Sequence, residues 1–326
     1  MPAKSYEAKA ETSGEAYGPG AASSVRRWMT LGLGALWVVD GLLQLQPRMF
    51  SLFFANNVNS VLGNALQSLP PPLYLASMSF FLRYITPHAA LWNASVAVVQ
   101  LALGVSLLRG GERVRRAALA VSVAWGLTVW VFGEGMSGVF AATMSGGVFP
   151  GTPSILNGFP GAALVYALAA LLLLLPRGFW NLSGRFSVVR DAPAVLFLVL
   201  AAVQAAPLMW TTFGQSSIFA ANIAALPSQA TYTLVPIIRF AAAHPVLCNA
   251  AEVTITLLAG VGLLVRRSRL GYAFALAWLG FIWWFGLGLG GTLTGLGTDP
   301  NTPPAIALLM VPLISASRGR GRKGVT

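Results

Sequence analysis

Charged residues are few in this chain: 9% of 326, against 56% hydrophobic. A soluble domain carries roughly a quarter of its residues as charges, so the composition points to a membrane protein. Cysteine is nearly absent. The single Cys248 excludes an internal disulfide and a cysteine-based metal cage. Histidine is limited to His88 and His244, both at the starts of apolar runs. With no third His or Cys to complete a shell, neither a haem nor a copper centre is expected. Met49, Met136, Met144 and Met209 fall in the outer connections, where a thioether suits Cu(I), but methionine in an apolar chain is packing material. No metal ligand and no cofactor is therefore assigned. Missing too are a P-loop, a nucleophile elbow and a metalloprotease helix, so the chain is not expected to be a self-sufficient enzyme and no catalytic residue is assigned. GLGLGG at Gly286 to Gly291 matches a dinucleotide fingerprint only as a string, because it follows an apolar helix rather than a strand. Residues 1–27 are polar and lack an apolar h-region, so a disordered tail is expected there rather than a cleavable signal peptide.

What the chain has in quantity is apolar length. A spanning helix needs about 20 largely apolar residues, and shorter runs serve when anchored. Eight segments qualify: 29–46, 88–108, 115–135, 159–176, 193–210, 245–265, 270–290 and 303–317. Prolines 160, 193, 245, 303 and 304 lie near the starts of four of these spans, where the missing N–H costs nothing. The basic residues, 21 against 9 acids, cluster at span ends, which argues for a lipid bilayer as partner and against nucleic acid. Eighteen of them fall on one side of the eight-span arrangement; only Arg48, Arg83 and Arg239 fall on the other. The positive-inside rule then places both termini in the cytoplasm of a cell-membrane protein.

The sequence also repeats itself. His88-x4-Asn93-Ala, an apolar run and an arginine cluster recur from His244 and Asn249. Trp125, Trp130, Phe132 and Gly133 are echoed by Trp278, Trp283, Phe285 and Gly286; Gln44, Pro47 and Met49 by Gln204, Pro207 and Met209; and PGTP at Pro150 to Pro153 by PNTP at Pro300 to Pro303. The expected architecture is all-α: two four-helix units, 28–178 and 191–317, with a basic tail at 318–326. An even number of spans keeps orientation on duplication, so the units are parallel rather than inverted repeats. The long connections 47–87 and 211–244 lie outside and contain FSLFFANNVNSVLGNAL and SSIFAANIAALPSQA, expected as interfacial helices or a re-entrant cap.

Ionisable groups at membrane depth are costly and face a bundle interior, a partner or a cavity. Asp40, Glu134 and Glu252 fall in the outward half of their spans, as do Gln44, His88, Asn93, Gln100, His244 and Asn249. Asp40, Gln44, His88, Asn93 and Glu134 are the expected ligand or proton site, an outward polar pocket, with Glu252 a further candidate. Packing offers the competing reading: Asn, Gln and His bonding across helices. The acids are not duplicated. Leu200 and Leu287 match Asp40 and Glu134, and Val96 matches Glu252, the asymmetry a single site in a doubled scaffold would leave.

LWVVDGLLQLQPRMF, the His88-x4-Asn93-Ala start and WVFGEGMSGVF resemble an uncharacterised family of multi-pass membrane proteins of high-GC bacteria over most of residues 30–315. The four-span unit with Gly133, Glu134, Gly135 and Gly138 is also similar to DoxX-type membrane proteins. That second likeness implies a membrane subunit of a quinone-linked redox or assembly complex, with partner subunits. The first reading of function remains a protein that binds or transports a small molecule or ion.

Overall fold

The computed structural model describes residues 19–51, 56, 71–138, 153–180, 187–222, 228–264, 269–295 and 297–313. Among these residues every regular element is helical. The helices of the first half are α1 (Pro19–Leu43), α2 (Pro71–Phe80), α3 (Ala89–Arg109), α4 (Glu112–Phe132) and α5 (Ala162–Leu174). Those of the second are α6 (Val188–Gln204), α7 (Thr212–Asn222), α8 (Leu234–Ala243), α9 (Pro245–Leu264), α10 (Arg269–Phe281) and α11 (Thr302–Leu309). A helix lies in each of the eight apolar segments expected from sequence. Three helical stretches are long and apolar enough to cross a bilayer: Met78–Arg109, Glu112–Phe132 and Pro245–Leu264. Ala162–Leu174, Leu234–Ala243 and Thr302–Leu313 are shorter apolar helices. The expected N-terminal tail up to residue 18, the basic tail 318–326, Met144, and most of the FSLFFANNVNSVLGNAL stretch lie outside the described residues.

Period-3.6 burial decides how the helices meet. On α3 the buried stripe is Asn93, Ala97, Gln100, Leu103, Gly104 and Leu107; on α9 it is Asn249, Glu252, Thr256, Ala259, Gly260 and Leu263. These stripes pack against α1 and α6 respectively. The core-facing residues Met29, Leu33, Trp37 and Asp40 of α1, with Gln44 just after it, run in the same spacing as Val189, Pro193, Phe197, Leu200 and Gln204 on α6. Close approach needs small residues where lipid supplies no hydrophobic drive between helices. A Cβ on Gly104 would lie 2.7 Å from the Gly34 carbonyl of α1, so α1 and α3 touch backbone to backbone.

The opposite faces carry Leu91, Val98 and Val105 on α3 and Val246, Leu257 and Val261 on α9, all exposed. That is the surface a hydrocarbon solvent accepts. The short helices α5 and α11 are different. Most of their residues are buried, from Ala162 to Leu173 save Leu168 and Leu171 on one exposed face, and from Thr302 to Leu309, and they pack on each other and on α1. A helix hydrophobic on every face belongs in an interior.

Two connections bring these central helices into place. After α4 and after α10 the chain turns through left-handed residues, Met136 (φ 52°) and Ser137 (φ 52°) in one case, Leu289 (φ 56°) and Gly290 (φ 67°) in the other. The indole of Trp130 then donates to Pro160 O at 2.8 Å, and that of Trp283 to Pro300 O at 2.7 Å. In both places an indole near the end of the preceding helix reaches the carbonyl of a proline just ahead of a short apolar helix. Pro150 to Thr152 lie outside the described residues. Met49 and Met209 end buried in the short turns after α1 and α6, as packing methionines do.

Candidate functional site

Asp40 sits one turn before the end of α1 and is 2% exposed. Tyr166 of α5 donates its hydroxyl to Asp40 Oδ1 at 3.3 Å, and its ring meets Trp37 edge-on at 4.9 Å between centroids. Glu134 follows α4. Its Oε1 accepts from the Ala163 N–H at 2.9 Å, so the carboxylate serves orphan donors at the first turn of α5. Its Oε2 is enclosed and has no hydrogen-bond partner. The neighbour that makes room is Gly161, at φ +103°, where any Cβ would collide with Glu134 Oε2. The second half solves the same problem differently. Leu287 cannot cap, and Asn301 (φ 69°) accepts the Thr302 N–H on its own Oδ1 at 2.7 Å.

The structure adds an acid that the sequence reading omitted. Asp299 lies in the connection before α11, where Oδ1 accepts from the Asn301 N–H at 2.6 Å and Oδ2 from the Thr298 hydroxyl at 3.0 Å. It acts as a like charge on both Asp40 and Glu134, so three carboxyls share one electrostatic environment. Burial pushes the Asp299 carboxyl above its usual range, and its two hydrogen bonds pull the other way. Asp299 and Glu134 are partly exposed as residues whereas Asp40 is not. Gln46 fastens the connection that carries Asp299, donating to Gly297 O at 2.9 Å. The one signal in the sequence was the Asp-Pro-Asn-Thr turn, read there only as a proline echo.

Gln44 and Asn93 join from the other side: Asn93 Nδ2 donates to the Gln44 carbonyl at 2.7 Å. Gln44 Oε1, Asn93 Oδ1, Gln100 Oε1 and Glu134 Oε2 are buried without a partner, as is one donor on the same helices, the Trp125 indole N–H. His88 is not among them. It stands exposed at the start of α3 and its side chain caps nothing. His244 is likewise exposed, its ring tilted against that of Phe240 with centroids 4.8 Å apart. Glu252 is buried in the second half with Gln204, Gln215 and Asn249, a separate cluster from that of Asp40. Among the described residues no three His, Cys, Asp or Glu side chains are arranged to hold a metal ion.

Relatives share part of this chain. It is 33% identical over 86 residues to a UPF0060 membrane protein of Pseudomonas paraeruginosa, an alignment covering 26% of this chain and 76% of that protein. UPF0060 membrane proteins of Pseudomonas aeruginosa are 31% identical over 86 residues. No family model matches the chain, and no solved structure matches it. With such relatives aligned over three quarters of their length, the chain belongs to the UPF0060 family of membrane proteins.

Proposed function

We propose that the protein is an eight-span cytoplasmic-membrane protein that binds a monovalent cation, or a proton, in an outward-facing pocket and moves it across the bilayer. The pocket consists of Asp40, Glu134 and Asp299 with Tyr166, Gln44 and Asn93. The observation that carries the reading is a surplus of buried acceptors without partners on these elements, Gln44 Oε1, Asn93 Oδ1, Gln100 Oε1 and one oxygen of Glu134 itself, against one indole donor, with Asp40 and Asp299 as the other two carboxyls. No lysine or arginine forms an ion pair with these acids among the described residues. A positive ligand satisfies such a set. His88, expected in this pocket from sequence, has no part in it because it stands at the exposed end of α3.

Two parallel four-helix units, 28–178 and 191–317, make the scaffold. This is supported by the equal burial registers of α1 with α6 and of α3 with α9, and by the paired Trp130–Pro160 and Trp283–Pro300 bonds. Termini in the cytoplasm follow from the arginine distribution. The alternative of a redox-complex subunit rests on Gly133 to Gly138, and there Glu134 already serves α5, so no further observation favours it.

The test is uptake of sodium, potassium or protons into proteoliposomes under an imposed potential. Asp40→Asn and Glu134→Gln are expected to abolish saturable uptake without lowering the amount of folded protein. Wild-type uptake in both variants, or wild-type flux no greater than that of empty liposomes, contradicts the proposal.

A further inference from the structure

Glu252 stands at the centre of a cluster that shares no residue with the pocket of Asp40. Its Oε2 accepts from Gln204 Nε2 at 2.8 Å and from Gln215 Nε2 at 3.0 Å. Gln204 Nε2 also donates to Asn249 Oδ1 at 3.0 Å, and Gln204 Oε1 accepts from the Ser154 hydroxyl at 2.7 Å. Gln215 is anchored by a second bond, Nε2 to Met209 O at 2.9 Å. The head groups therefore arrive from α6, α7, α9 and the connection before α5. Gln204, Gln215, Asn249 and Ser154 are wholly buried, and Glu252 is 6% exposed.

A network present only for packing closes on itself, because a buried polar atom left open is costly. This one does not close. Gln215 Oε1 and Asn249 Nδ2 are buried without partners, and the hydrogen bonds to the Glu252 carboxylate, from Gln204 and Gln215, both reach Oε2, leaving Oε1 without one among the described residues. Two amide donors on one oxygen suit a carboxylate anion, and no Lys or Arg forms an ion pair with it among the described residues. A water bound there would fill the hydrogen bonds but leave the charge uncompensated at membrane depth. A bare metal cation would compensate the charge but leave the Asn249 N–H groups facing it.

We infer that the Glu252 cluster is a second ligand site, for a small primary ammonium with a neighbouring hydroxyl. The ammonium donates to Glu252 Oε1 and Gln215 Oε1, and the hydroxyl oxygen accepts from Asn249 Nδ2. Ser154, which belongs to the first half, holds Gln204 in place, so the site is completed across the two halves. The inference does not rest on cation binding at Asp40.

Calorimetry on the full chain in lipid nanodiscs tests it, with ethanolamine as probe, ethylamine as the ligand lacking the hydroxyl and ethanol as the ligand lacking the charge. Saturable ethanolamine binding is expected, with ethylamine about fivefold weaker and Glu252→Gln weakened by about tenfold or more. Gln215→Met, which removes the free acceptor while keeping the side-chain length, serves if Glu252→Gln does not fold; it too should weaken ethanolamine binding by about tenfold. Ser154→Ala should weaken it by about fivefold, and Asp40→Asn should leave it at the wild-type value. No saturable ethanolamine binding, or wild-type affinity in the folded Glu252→Gln or Gln215→Met protein, overturns the assignment. So does a parallel loss in Asp40→Asn, which would move the ligand to the other cluster.

Discussion

The starts of α5 and α11 are served by different residues, Glu134 in one case and Asn301 in the other. In each half a helix begins deep inside, where unsatisfied N–H groups have no water to turn to. Glu134 reaches over a residue without a side chain to serve α5, while Asn301 serves α11 from its own position. Glu134→Leu should therefore destabilise the protein by about 1–2 kcal/mol, the scale of a lost cap. Adding Gly161→Asn to Glu134→Leu should restore much of the loss, whereas Gly161→Asn alone should be harmful because Glu134 still fills the space. Thermal midpoints of the three variants in detergent decide; a double variant no better than the worse single variant contradicts the account. A titration follows from Asp299, which lies outside the spanning helices. Burial raises its pKa in the folded state above the unfolded value. The folded protein then holds more protons than the unfolded chain above about pH 4, so its contribution to stability falls as pH rises toward the folded pKa. Asp299→Asn should flatten that part of the pH–midpoint curve. Asp40 and Glu134 were legible in the sequence because an acid inside an apolar run is conspicuous. Asp299 was not, since an acid beside proline in a connection looks like an ordinary turn; only folding brings it to α1 and α4.

At the level of helices, apolar length marked eight segments, and a helix lies in each. It did not show that α5 and α11 differ in kind from the rest. Their runs are apolar on every face, which fits an interior helix as well as a lipid-facing one. The eight buried residues of Ala162–Leu174 place most of α5 inside, with Leu168 and Leu171 left exposed on one face. A helix start near a pocket in sequence need not point into it, and His88 stands on the exposed side at the start of α3. The contact between α1 and α3 supplies a prediction of its own. Gly104→Leu drives a side chain into the Gly34 carbonyl and Val38. It should cost about 1–3 kcal/mol, the range for overfilling a packed contact, seen as a lowered midpoint. Gly111→Ala, at a position with open space around it, should leave the midpoint nearly unchanged.

For the whole molecule, the proposed halves complete one another. The connection before α11 carries Asp299 to Asp40 and Glu134, and Gln46 holds it there; the connection before α5 carries Ser154 to Gln204. The relatives fit this picture in size, since 86 residues that are 26% of this chain are 76% of the relative, making the relative about a third as long and closer to one unit than to two. Orientation is open to direct test: with Cys248→Ser as background, a single cysteine placed at Arg113 should react with a membrane-impermeant maleimide only after cells are opened, and one placed at Tyr232 in intact cells. The reverse pattern would invert the topology. The claim that ties these scales together is that a loop acid from the second half completes a cation site in the first. Potential-driven cation uptake by the Asp299→Asn protein in liposomes measures it most directly. The account predicts a loss as deep as that of Asp40→Asn, with folded protein reconstituted in equal amount. Saturable uptake at the wild-type rate would contradict it.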